Sequence, residues 1–102
     1  MKLTPGSRWK SAVCNTEVVL VKPPKAGRVL ECGGVAMMAY GETKPEGLSP
    51  SAMHSTGSLA GKRYSDEASN LEVLCSKSGL GSLSLDGLPL IVREAKRLPS
   101  SD

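Results

Sequence analysis

Three cysteines and one histidine are the side chains in this 102-residue sequence with the chemistry to hold a metal, carry a redox change or act as a nucleophile. Cys14 closes the stretch Trp9-Lys10-Ser11-Ala12-Val13-Cys14, and Cys32 opens Cys32-Gly33-Gly34. Each sits near an end of a hairpin-like segment, so the pattern places a thiol at each end of one hairpin. Two thiolates can take zinc or iron when other donors join them, and the Glu31 carboxylate or the His54 imidazole is the donor to expect. Two chains can also pool four sulfurs. The remaining readings are small buried thiols and a disulfide between Cys14 and Cys32. The doubled two-cysteine spacing that makes metal motifs specific is absent. Cys75 falls inside an apolar run, away from either turn.

No base stands beside any cysteine in the sequence, so nothing points to thiol catalysis. His54 lies in Ser51-Ala52-Met53-His54-Ser55-Thr56, a loop composition that suits a solvated imidazole. Gly79-Leu80-Gly81 and Cys32-Gly33-Gly34 are not phosphate loops, because no helix pattern follows either. Asp66-Glu67 reads as the start of a helical turn over Ser65–Asn70, not as an acid–base pair.

The elements that must position these residues are short strands. Val13, Val18, Val19 and Val21 favour a pleated, half-buried surface. Pro23-Pro24 ends that run, since proline cannot donate to a ladder. The return is Val29-Leu30, and Val35–Tyr40 reads as a third strand. Residues 41–62 are rich in Gly, Pro, Ser and Thr and keep no period, which reads as a long loop or linker. Strand patterning restarts at Tyr64. Leu83 and Leu85 alternate with Ser82 and Ser84, Asp86-Gly87 is a turn dipeptide, and Leu88–Val92 is a last strand that Pro89 assigns to an edge. The charged tail from Arg93 to Asp102 is expected on the surface. Nowhere do apolar residues recur at helical spacing over three turns.

The order of strand, Gly reversal, strand, Gly turn and apolar strand occurs twice, once in 1–40 and once in 63–102. The expected architecture is therefore all-β, a small β sandwich or barrel with one shared core, built from two three-strand repeats about a pseudo-twofold. Each copy alone is too small to hide its apolar face.

Composition bounds the rest. There is no Phe and only 3% aromatic residues, so Val, Leu, Met and Ala must fill the core. Residues 1–50 carry seven Lys/Arg and four Asp/Glu, and residues 51–102 carry six of each. That mild balance does not describe a nucleic-acid binder. There is no apolar run of membrane-spanning length. Met1–Pro5 lacks a secretory signal's apolar stretch. The odd cysteine count fits reduced thiols in the cytoplasm.

The stretch from Trp9 to Met37 resembles the desulforedoxin family, which includes the small N-terminal domain of desulfoferrodoxin. That family's aromatic-Lys-Cys-x-x-Cys entry, Val-rich strand, Gly reversal and Cys-Cys-Gly-x-x-Met turn match Trp9-Lys10-Ser11-Ala12-Val13-Cys14, Val18–Val21, Gly27 and Glu31-Cys32-Gly33-Gly34-Val35-Ala36-Met37. The resemblance implies a small β fold, four thiolates on one iron and a dimer, which a fused tandem would imitate. Ser11 and Glu31 stand where two of the four cysteines would be. The expected function is thus a non-catalytic accessory module that binds another protein subunit or a second copy through Trp9, Met53, His54 and Tyr64. The alternative is a zinc or iron scaffold, or an electron-transfer module, using Cys14 and Cys32.

Overall fold

A computed structural model describes residues 1–25 and 27–93 of the chain. It is all-β, with two antiparallel sheets and a single short 3-10 turn at Ala52–His54 among the described residues. The strands are β1 (Arg8–Lys10), β2 (Glu17–Lys22), β3 (Leu30–Cys32), β4 (Val35–Ala36), β5 (Met38–Ala39), β6 (Arg63–Asp66), β7 (Leu71–Lys77), β8 (Leu83–Leu85), β9 (Leu88–Pro89) and β10 (Ile91–Arg93). The larger sheet runs β10-β6-β7-β2-β1-β5, and the smaller runs β4-β3-β8-β9. Both sheets therefore take strands from both halves of the chain.

The seam between the halves is β2 against β7. Val18 faces Cys75, Val19 faces Leu74 and Leu20 faces Val73. Alternation drives β2, where Val18 and Leu20 turn inward while Val19 and Val21 are only half-buried. Lys22 ends the strand just before Pro23, as proline's missing donor requires. In the smaller sheet β3 pairs with β8 through Leu30 with Leu85 and Cys32 with Leu83. One apolar cluster joins Trp9, Val18, Leu20, Leu30, Met37, Tyr64, Leu71, Val73, Leu83 and Leu85 with Cys32 and Cys75. Leucine and valine dominate it, as the scarcity of aromatics demands.

Five details differ from the sequence reading. The segment from Cys14 to Cys32 is not one hairpin, because β2 and β3 lie in different sheets, β2 pairing with β1 and β7 and β3 with β4 and β8. Trp9 is buried, with Nε1 donating to Ser7 Oγ at 2.9 Å, so it anchors the core in a strand of its own and offers no contact face. Val35–Tyr40 is two strands, because Met37 turns into the core between them and its amide bonds Leu30 O. Leu88–Val92 likewise divides, β9 bordering one sheet and β10 the other, with Pro89 on the expected edge. Ser65–Asn70 is the end of β6 and a turn rather than a helical turn. Asn70 adopts a left-handed φ of 66°, and the Asp66 carboxylate closes the turn instead of starting a helix. The tail from residue 94 lies outside the described residues. Among the described residues no helix is long and apolar enough to cross a membrane.

Candidate functional site: a paired-thiol pocket and an edge groove

The turn between β1 and β2 builds the first site. Ser11 is fully buried, and its amide donates to Thr16 O at 2.8 Å, pinching the turn shut. Its Oγ accepts the amides of Val13 and Cys14, each at 3.1 Å. That fold-back presents the Cys14 side chain across the end of β3. Cys14 Sγ lies 3.8 Å from Cys32 Sγ, a long thiol–thiol hydrogen bond that either sulfur could donate, and not a disulfide.

Other groups converge on the outer sulfur. Ser11 Oγ and Thr16 Oγ1 are each 3.3 Å from Cys14 Sγ, and the Gly81 amide donates to it at 3.4 Å. Thr16 Oγ1 is itself 2.5 Å from Ser58 Oγ, and both residues are almost wholly buried. Burial alone would raise the Cys14 thiol. The hydroxyls of Ser11 and Thr16 and the Gly81 amide outweigh it, bringing the group down to about 7. Cys32 goes the other way. Burial, followed by the neighbouring Cys14 charge, pushes it up to about 12. Burial also raises Cys75, whose thiol donates to Lys77 O at 3.2 Å.

Two glycines make this packing possible. A Cβ on Gly79 would stand 2.3 Å from Thr16 Oγ1 and 3.0 Å from Cys14 Sγ. One on Gly81 would stand 2.9 Å from both Cys32 Sγ and the Gly33 amide nitrogen. Gly79 also exchanges both backbone hydrogen bonds with Ser58, fastening the long loop over the thiols. Above Cys14 opens a cavity of about 400 Å³ lined by Val13, Asn15, Ser58, Leu59 and Leu80.

The expected third metal ligands are elsewhere. Glu31 Oε1 accepts Ser84 Oγ at 3.1 Å and the Gly87 amide at 2.7 Å, so its carboxylate serves the β8–β9 turn. His54 packs over Gly34. No three His, Cys, Asp or Glu side chains among the described residues form a group able to hold a metal. The donors beside the two thiols are hydroxyls, a set that does not fit a four-thiolate iron.

The second site is a groove. Met53, His54 and Tyr64 line one cavity of about 430 Å³ with Leu59, Pro89, Leu90 and Val92. Tyr64 forms its floor, and its hydroxyl accepts the Leu59 amide at 2.9 Å. Met53 is 87% exposed at the rim. Three of the four residues expected to meet a partner thus converge, and Trp9 does not. Sequence reasoning missed Thr16, Ser58, Gly79 and Gly81. Only the Gly-x-Gly spacing could have pointed to a close backbone approach there. No family model, curated protein or solved structure matches this chain.

Proposed function

We propose that this chain is a non-catalytic β module that binds an extended apolar segment of another protein subunit along β10 and the groove beside it. We further infer that its halves are diverged copies of a desulforedoxin-like unit that kept the strand plan and lost most metal ligands. The carrying observation is the convergence of Met53, His54 and Tyr64 with Val92 on one groove next to an open edge. All of Ile91–Arg93 is exposed, and no strand among the described residues pairs with its outer side. Such an edge accepts an incoming strand through backbone hydrogen bonds while neighbouring pockets take alternate side chains. Glu72 holds that edge in place, being buried and paired with Arg63 at 3.1 Å and Arg93 at 3.7 Å.

Register supports the duplication. Trp9 faces Val18 as Tyr64 faces Val73, and Cys32 faces Val35 as Leu85 faces Leu88. Across the seam, Val18 with Cys75 answers Leu20 with Val73. The test is covalent cross-linking in cells of the native chain against Val92→Lys and Met53→Asp. A protein joined to the native chain and lost with both variants supports the reading. Adducts unchanged in both variants overturn it, and an adduct of two copies replaces the foreign partner with a homodimer.

A further inference from the structure

We propose that Cys14 and Cys32 are a reversible dithiol–disulfide pair, in which Cys14 exchanges with a small disulfide entering the cavity beside Leu59 and Leu80, and Cys32 resolves the mixed disulfide. This goes beyond partner binding and uses a different part of the molecule.

Position assigns the roles. Cys14 is half-buried and lines the cavity, whereas Cys32 is wholly buried behind it. An entering disulfide therefore meets Cys14 first. The cavity mouth is apolar on both sides, with Leu80 72% and Leu59 59% exposed, so a small organic disulfide finds contact area as it approaches. The Gly81 amide and the hydroxyls of Ser11 and Thr16 all address the outer sulfur. The amide donates to that sulfur, and the hydroxyls, which accept from the thiol, turn their protons toward it once it ionises, which stabilises a thiolate there and lowers the cost of the attack. With Gly81 beside it, no Cβ crowds the Cys32 sulfur on that side, and the two sulfurs already stand 3.8 Å apart. Cys75 takes no part, since its thiol is committed to Lys77 O.

The exchange balances without another reagent. The Cys14 thiolate attacks one sulfur of the incoming disulfide, whose S–S bond breaks, and the first thiolate departs to take a proton from water. Cys32 then attacks Cys14 Sγ, passing its proton to the second departing thiolate. The protein loses two protons and two electrons, and the small disulfide, taking up both, becomes two thiols.

The test uses the reduced full chain and glutathione disulfide, with acid quenching, intact mass and peptide mapping. We expect a product lighter by two hydrogens, one Cys14–Cys32 cross-linked peptide, an unmodified Cys75, and recovery of the starting mass with dithiothreitol. Cys32→Ser should stop at a glutathione adduct on Cys14, and Cys14→Ser should give neither product. A hydroxyl in the Cys32 site can prevent folding, so the native chain must decide alone. Three free thiols after equilibration, an adduct on Cys14 that is never resolved, or a linkage through Cys75 each overturn the proposal.

Discussion

The turn after β1 and the turn after β6 close in the same manner with different atoms. In the first, Ser11 Oγ collects the amides of Val13 and Cys14. In the second, Asp66 Oδ2 collects the amide and hydroxyl of Ser69, at 3.1 and 2.7 Å. Each turn needs an acceptor at its start and a small side chain three residues on. Cys14 fills that place in one turn and buried Ser69 in the other. A thiol is therefore not required to form such a turn. Its presence in the first, opposite Cys32 and beneath Gly79 and Gly81, confines the sulfur chemistry to one half of the molecule.

Substitutions that reach the first turn should cost more than those that reach the second. Gly79→Ala or Gly81→Ala forces a methyl group into backbone and sulfur atoms, and should cost about 3 kcal/mol or prevent folding. Urea denaturation followed by tryptophan fluorescence would measure it. Thr16→Val comes next. It leaves buried Ser58 without its hydroxyl partner, for a loss of about 2 kcal/mol in the same assay. Asp66→Ala should cost about 1 kcal/mol, because it removes one side-chain acceptor from a turn that is only part-buried.

Acidity sharpens the contrast. The folded Cys14 thiol sits at about 7, below its unfolded value, so the stability it contributes is present above that unfolded value and is lost as pH falls through about 7. The native chain should gain stability over Cys14→Ser as pH rises from 7 to about 9. Alkylation of Cys14 should be half-maximal near pH 7 and that of Cys75 should lag far behind. The smallest expected effect is that of a chelator. With no three-ligand group among the described residues, EDTA should leave the melting temperature unchanged within measurement error.

Much of the strand plan was legible because it is written in short-range patterns. Val18 and Leu20 alternate with their neighbours, Pro23-Pro24 stops β2, and Pro89 lies on an edge. The finer breaks were not, since Met37 looks like any apolar residue until Leu30 O claims its amide. The turn at Asp66 misled for a related reason: an acidic residue that closes a turn has the same signature as one that starts a helix. At the thiol site, Cys14 and Cys32 stood out by type. Their surroundings did not, because Ser58, Gly79 and Gly81 arrive from a loop and a turn remote in sequence. Ordinary residues become functional there by proximity alone. In the groove, Met53, His54 and Tyr64 converge only because the long loop folds back over β6.

The seam between β2 and β7 has a practical outcome. Gly41–Ser49 lies wholly exposed, while the strands on either side of it are knitted together through Val18–Cys75 and Leu20–Val73. A single proteolytic cut there should leave a nicked protein that still sediments as one particle. The two pieces, made separately, should recover a common fold by complementation when mixed.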